Sequence, residues 1–368
     1  MDMLKAVALK DFKCFQEEKE FSLASITIMY GRNGRGKSTV AQSLLLVAQT
    51  MVENNDVSNL LLTGRYVSLG SFADVVNSDS DRSHFSITLK SAGDEIVEMG
   101  YSELPNKPQM ASVDLLNVNG VSRFEKISAE ASDVESEQKT VSTTSDIKTL
   151  QMLKSARFVS AGRLGPQNSI DRKDNLADDD LGVNGENLIN VLSRKGVNFL
   201  ENVEIALSEI LGGASVRINY KDAERIELYL NSKDGKVTYR PVNVGFGYSY
   251  VLPVVVAALL AQKDSLLIVE NPEAHLHPAA QSRIMKFLLQ EAKEKNLQLI
   301  IETHSDHVVN GMRIAVKDGI LDARDAHVLY FSDEESRVKM ITCDKNGTLS
   351  DYPDDFLDEW TLQMLKLV

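Results

Sequence analysis

The sequence has no long hydrophobic run. Its most apolar stretch, "VLPVVVAALLA" at 251–261, carries Pro253 and is far short of the roughly 20 residues that a bilayer span needs. The first residues, "MDMLKAVALKDFKCF", have no apolar core of the signal-peptide kind. Cysteine is almost absent. Cys14 and Cys343 are the only two in 368 residues, and they show no metal or redox spacing, which suits a reducing cytoplasm. Positive charge is also in short supply: 40 Lys and Arg against 53 Asp and Glu give a net charge of −13 and a pI near 5.0. That is the opposite of a general nucleic-acid coat protein, although a local basic patch remains compatible with it. There is no internal repeat and no long heptad pattern. These absences point to a cytoplasmic protein with no covalently attached membrane domain.

What is present begins with "YGRNGRGKSTV" at 30–40. Gly31, Gly36, Lys37 and Ser38 fit the phosphate-loop spacing G-x-x-x-x-G-K-[ST] without a gap. Glycines let the backbone curl so that successive N–H groups converge on phosphate oxygens. Lys37 is placed to reach the β- and γ-phosphates of ATP, and the Ser38 hydroxyl to ligate Mg²⁺. "SITIMY" before the loop reads as a buried strand. "TVAQSLLLVAQTM" after it reads as a helix, whose N-terminus favours anions.

Hydrophobic residues make up 43% of the chain and charged residues 25%, enough for one large packed domain or two interleaved lobes. Residues 4–31 predict three strands and a turn, and strand character returns within 66–90. The texture changes over 91–150, where "ASDVESEQKTVSTTSD" reads as a mobile loop or inserted arm. "GENLINVLSRKGVNFLENVEIALSEILGG" predicts one or two helices, and "VRINY", "RIELYL" and "KVTYR" predict three strands. The remainder alternates helix and strand, the mark of a parallel α/β sheet. The expected organisation is 1–90 with the phosphate loop, 91–215 as a partly mobile and helical insertion, and 216–368 with the rest of the site.

Three further stretches supply that rest. "SLLIVENPEAHLHP" (265–278) puts Glu270 at the carboxyl end of a buried strand, where a carboxylate can reach Mg²⁺. "LIIETHSD" (299–306) ends a second strand at His304. "NVGFGYSYVLP" (243–253) is a glycine-rich turn before a helix.

Taken together, these motifs resemble the ABC-type ATPase head. The forms "ENPEAHLHP" and "ETHSDHVVNGMR" are similar to the RecF/OLD-like branch, the AAA family ATPases of bacterial anti-phage defence systems and DNA repair. The resemblance covers the first ninety residues and those from about 215 onward, with a looser match at "SAGRLGP". It implies an α/β head with a mainly parallel core sheet, an N-terminal antiparallel β subdomain and an inserted helical or loop arm. By the same resemblance Gly31, Arg32, Asn33, Gly34, Arg35, Gly36, Lys37, Ser38 and Thr39 form Walker A. Glu270 takes the Walker B metal position beside Ser38, and His304 takes the switch position that senses γ-phosphate. Gly245, Gly247 and Ser249 correspond to the signature turn that caps the nucleotide of the opposite subunit, and Ala274–His277 to the D-loop.

Two departures stand out. Asn271 occupies the usual place of the catalytic base, so Glu273 is its candidate substitute, or else turnover is slow and ATP acts as a clamp. The signature is also degenerate. The resemblance implies an ATPase that uses ATP and Mg²⁺, forms a homodimer or higher homo-oligomer around ATP, and controls a separately encoded effector such as a nuclease or toxin. The alternative is a RecF-like DNA-repair ATPase that clamps DNA. About sixty residues follow His304, too few for a Toprim nuclease domain. A transporter ATPase subunit fits the motifs poorly, and an SMC-type arm lacks its coiled coil.

Several residues admit two readings. His275, His277, His304 and His307 suggest a metal cluster or simply nucleotide-site positions. "YFSDEESR" (330–337) reads as acidic metal ligands or as a strand and solvated turn. Arg163 in "GRLGPQ" lies near phosphate or closes a loop, and Tyr248 and Tyr250 stack on a base or pack inside.

Overall fold

The computed structural model describes residues 3–126, 139–141, 144–231, 237–332, 338–354, 356–357 and 359–367. The chain forms two compact units, Met1–Ala24 with Asn33–Ala156, and Ser25–Arg32 with Arg157–Val368. The chain passes from the second to the first inside the phosphate loop, between Arg32 and Asn33.

The first unit is built on an antiparallel sheet. β1 (Leu4–Lys10) pairs with β2 (Lys19–Ser22) on one side. On the other side it pairs with β5 (His84–Ser91), and the sheet continues through β6 (Ile96–Glu103) and β7 (Met110–Val118) to β4 (Asn59–Leu61). β8 (Val121–Ser122) also pairs with β7. β9 (Phe124–Lys126) and β10 (Lys139–Val141) form a separate antiparallel pair. Alternate residues of β5, Phe85, Ile87 and Leu89, are fully buried, as the two-residue period of a half-covered strand requires. α1 (Lys37–Asn54) is buried over most of its length, and its polar core residues are bonded. Gln49 donates to the Leu61 carbonyl and accepts from the Tyr66 and Val67 amides, while Thr50 accepts from the Leu61 amide. Such pairing is what makes a buried amide or hydroxyl tolerable. α2 (Phe72–Val75) begins with a Ser71–Asp74 capping box, and α3 (Lys148–Lys154) packs on α1.

The second unit holds the parallel sheet. Its order is β11 (Arg157–Val159), β15 (Leu266–Glu270), β16 (Gln298–Thr303), β3 (Ile26–Gly31) and β17 (Ala326–Phe331), with antiparallel β18 (Val338–Thr342) at the edge. β16 and β17 are buried at every position and β3 at all but its last. Parallel strands covered on both faces are expected to read as continuous apolar runs. A smaller antiparallel sheet, β12 (Ser169–Asp171), β14 (Arg225–Asn231) and β13 (Ser215–Tyr220), lies in the same unit. The helices are α4 (Leu188–Arg194), α5 (Val197–Leu211), α6 (Phe246–Leu260), α7 (Pro278–Lys295), α8 (Asp306–Lys317) and α9 (Glu359–Leu367). Within the apolar run 251–261, residues 251–258 are the buried body of α6, and Ala261 is its C-cap. Residues 185–213 contribute both α4 and α5, broken at Gly196.

The α/β head architecture expected from the sequence is therefore present. Two local differences appear. Among the described residues "KVTYR" forms no strand: Tyr239 makes a bridge to Leu230, and residues 232–236 lie outside the described residues. The polar stretch 131–146 falls largely outside them as well, as do 333–337 of "YFSDEESR", whose first two residues end β17. Residues 96–118, by contrast, are strands of the sheet that contains β1.

Candidate functional site

In the first unit the phosphate loop is held by glycine geometry. Gly34 and Gly36 have φ of 72° and 101°, values that L side chains rarely adopt. A Cβ at Gly36 would also lie 2.6 Å from the Phe15 ring and 3.0 Å from Cys14 Sγ. The curl is thus set by a loop of the same unit packed behind it. α1 follows at once. Its first turn has no side-chain cap and no acidic residue, so its amides and dipole present an uncompensated positive end to an anion. Lys37 is 3% exposed and Thr39 is buried, whereas Arg32, Asn33, Gly34 and Arg35 are exposed.

In the second unit the remaining candidates come together at the carboxyl ends of adjacent parallel strands, where open α/β sheets place their ligands. The ladder pairs Val159 with Val269, Glu270 with Glu302, and Thr303 with Tyr30. Gly31, Glu270, His304 and the 160–165 loop therefore leave neighbouring strands on one edge. Gly31 closes β3 against β17: its φ is 129°, and a Cβ there would meet the Phe331 carbonyl oxygen at 2.2 Å. The Arg32 amide donates to that same oxygen at 3.1 Å.

The Glu270 carboxylate accepts from the Ala161 amide at 2.9 Å. Burial raises its pKa, while that amide and the Arg163 charge work against the rise. A carboxyl whose folded pKa lies above its unfolded value favours folding below the unfolded pKa, and loses that contribution as pH rises through the folded one. Glu270→Gln is accordingly expected to melt at a higher temperature than wild type near neutral pH in EDTA. The gain should shrink as pH falls into the carboxyl range, and equal melting temperatures across pH 4–8 would remove this account of the site.

Beyond Glu270 the chain turns sharply. Asn271 has φ of 45°, and its amide donates to the Glu302 carbonyl at 2.7 Å. Glu273 Oε1 accepts from the His304 amide at 3.0 Å, and Glu273 Oε2 is buried without a hydrogen-bond partner among the described residues. The Glu273 carboxylate is thus fastened to the loop that carries His304. Tyr30 and Asp306 add a second fastening, with the phenol donating at 2.5 Å from the end of β3 to the first turn of α8. Burial and Asp306 together push the Tyr30 pKa well up.

The signature-like turn opens α6. Gly245 is exposed with open space around its Cβ direction, and Gly247 packs against the His275 carbonyl. Ser249 is only 8% exposed, and its hydroxyl is buried with no hydrogen-bond partner among the described residues, so it faces inward rather than outward. The Tyr250 ring lies 4.2 Å from that of His275, and the Tyr248 hydroxyl donates to the Gly213 carbonyl. His277 caps α7, its Nδ1 accepting from the Ala279 amide. Among the described residues no group of three His, Cys, Asp or Glu could hold a metal by itself. The Glu270 carboxylate is a hard oxygen donor of the kind Mg²⁺ takes, an ion that needs one or two protein ligands beside waters and phosphate oxygens.

Sequence reasoning missed or left open three residues. Arg163, 3% exposed, donates to the carbonyls of Ser160, Glu270 and Asn271. Burial lowers its pKa to about 10, with Glu273 and Glu270 opposing. Glu302 is buried beside Glu270 on the next strand. Gln281 joins the Leu276 carbonyl to the Ser305 hydroxyl. A lone arginine in a Gly-Pro loop was the only local signal for any of them.

The chain is similar to several known proteins in sequence and in fold. Over 122 residues the chain is 27% identical to the lipoprotein-releasing system ATP-binding protein LolD of Nitrobacter winogradskyi, covering 33% of this chain and 50% of that protein. It is 26% identical over 124 residues to LolD of Rhodopseudomonas palustris (strain BisB5), covering 33% and 51%. The match spans about half the length of these curated relatives. The fold is similar to that of an SmcHead solved bound to the C-winged helix domain of ScpA, with TM-score 0.58, 15% identity, and coverage of 93% of this chain and 98% of that one. It is likewise similar to an Smc head domain with an extended coiled coil, bound to the C-terminal domain of ScpA derived from Pyrococcus furiosus. The TM-score there is 0.57 at 12% identity, covering 100% and 99%. Residues 321–367 match a family described as protein of unknown function (DUF3696). Residues 26–310, well over half of the chain, match the family described as "AAA domain, putative AbiEii toxin, Type IV TA system", and the chain belongs to that family.

Proposed function

We propose that the protein binds ATP with Mg²⁺, hydrolyses it slowly, dimerises around it, and thereby controls a separately encoded effector in anti-phage defence. The observation that carries this reading is the phosphate loop itself: left-handed glycines that admit no Cβ at Gly36, followed by an uncapped helix beginning Lys37–Ser38. Lys37 and the first amides of α1 would hold phosphate oxygens, and Ser38 would ligate Mg²⁺, which would supply charge neutralisation at the β- and γ-phosphates; Glu270 is the metal carboxylate by its resemblance to Walker B. Asn271 stands where a carboxylate base is usual, and an amide cannot accept a proton from water. Glu273, tied to the His304 backbone, takes that place less directly, which is the reason for slow turnover. The toxin-antitoxin description of the family supports an effector-controlling role.

Gly245 is the better probe of a shared site than Ser249, because its surroundings are open and a substitution there leaves the core alone. Lys37→Ala and Gly245→Glu subunits should each be inactive, the second by setting a carboxylate against phosphate. Mixed together, they form heterodimers with one intact and one doubly damaged site. Recovery of part of the wild-type ATPase rate is expected. No recovery despite demonstrated subunit exchange would rule out sites shared between two copies.

A further inference from the structure

The guanidinium of Arg163 is buried, yet among the described residues it makes no ion pair. Instead Nη1 donates to the carbonyls of Ser160 and Glu270 at 2.8 and 2.7 Å, and Nη2 donates to that of Asn271 at 2.6 Å. Two consecutive carbonyls, 270 and 271, therefore point at one side chain. Along a regular strand successive carbonyls point to opposite sides. They converge here because Asn271 has φ of 45°, a left-handed conformation that favours glycine over any residue with a Cβ. The turn persists only if its surroundings hold it. Two further tethers are the Asn271 amide on the Glu302 carbonyl and the Ala274 amide on the Asn271 carbonyl. The same loop reaches Glu270 from the side-chain direction too, through the Ala161 amide. Residues 160–163 thus grip Glu270 at both its carboxylate and its carbonyl.

We propose that Arg163 is a positioning residue: its fork holds the Glu270–Asn271 turn in the form that presents the Glu270 carboxylate to Mg²⁺. This rests on the reading of Glu270 as the metal carboxylate. A planar, rigid fork is the property that matters, because two acceptors at fixed spacing must be met at once. Lysine keeps the charge but is a single point donor, so Arg163→Lys should behave as a loss. Glycine at 271 adopts positive φ without a Cβ penalty, so Asn271→Gly should make the fork dispensable.

The experiment is calorimetric titration of the full chain with ATP, in EDTA and in excess Mg²⁺, alongside thermal melts. Wild type should bind in both and more tightly with Mg²⁺. Arg163→Lys should keep its EDTA affinity and lose about tenfold to a hundredfold of the Mg²⁺-dependent gain, the scale on which groups behind a metal ligand act. Arg163→Lys with Asn271→Gly should regain most of it. An unchanged Mg²⁺ gain in Arg163→Lys overturns the proposal while leaving the ATP-binding reading intact. A wild type with no Mg²⁺ gain overturns the Glu270 assignment and the proposal with it. If Arg163→Lys does not fold, the Asn271→Gly background decides: restored folding and Mg²⁺ gain support the fork, and continued misfolding shows that Arg163 holds something other than this turn.

Discussion

Lys37→Ala should bind Mg²⁺–ATP about 3 kcal/mol more weakly than wild type, the scale of a hydrogen bond to a charged group, or roughly a hundredfold in Kd. The lysine directly follows Gly36, which closes the left-handed turn begun at Gly34, and it begins α1. It is 3% exposed, so it stays within the fold of the loop instead of sweeping through solvent. A charge held near its target before binding gives up little side-chain entropy when it engages phosphate. Calorimetry with ATP and Mg²⁺ measures the change, and a melt without nucleotide separates it from a loss of fold. Affinity equal to wild type in a folded variant would remove the phosphate-loop assignment altogether.

The second large effect is on stability. Gly31→Val should destabilise the protein by at least about 4 kcal/mol, beyond the range of most single substitutions. Two independent penalties meet there. The backbone has φ of 129°, a region essentially limited to glycine, and a Cβ would sit 2.2 Å from the Phe331 carbonyl oxygen. Neither β3 nor β17 can retreat, since both are central and buried. Gly34→Ala is the control. Its φ is 72° but nothing lies within 4 Å of the added carbon, so only the left-handed penalty of about 1 kcal/mol applies. Urea denaturation of the two variants gives the comparison. Similar losses at both positions would mean that backbone conformation, not the close approach to β17, governs Gly31.

Much of the site was readable because its signals are local. Phosphate-loop spacing, the apolar run ending at Glu270 and the run ending at His304 each lie within about a dozen residues. In a parallel sheet a continuous apolar run that stops at a polar residue marks a carboxyl end. Such runs therefore reveal both the strands and the edge on which the candidates gather. The "KVTYR" segment was harder, since a short polar sequence carries no clear period. Among its described residues just one bridge, Tyr239 to Leu230, forms.

Sequence alone determined the α/β class, the phosphate loop and the strand ends that carry Glu270 and His304, because periodicity and glycine spacing act over one element at a time. Tertiary structure decided which groups serve those residues. Arg163 meets carbonyls more than a hundred positions away, and Tyr30 meets Asp306 across 276. Glu273 is fixed by the His304 amide, 31 residues on. It also turned Ser249 inward, although its place in the glycine-rich turn suggested an outward donor. No local pattern encodes such pairings. They follow from which strands lie adjacent in the sheet and from how sharply the chain bends at Asn271.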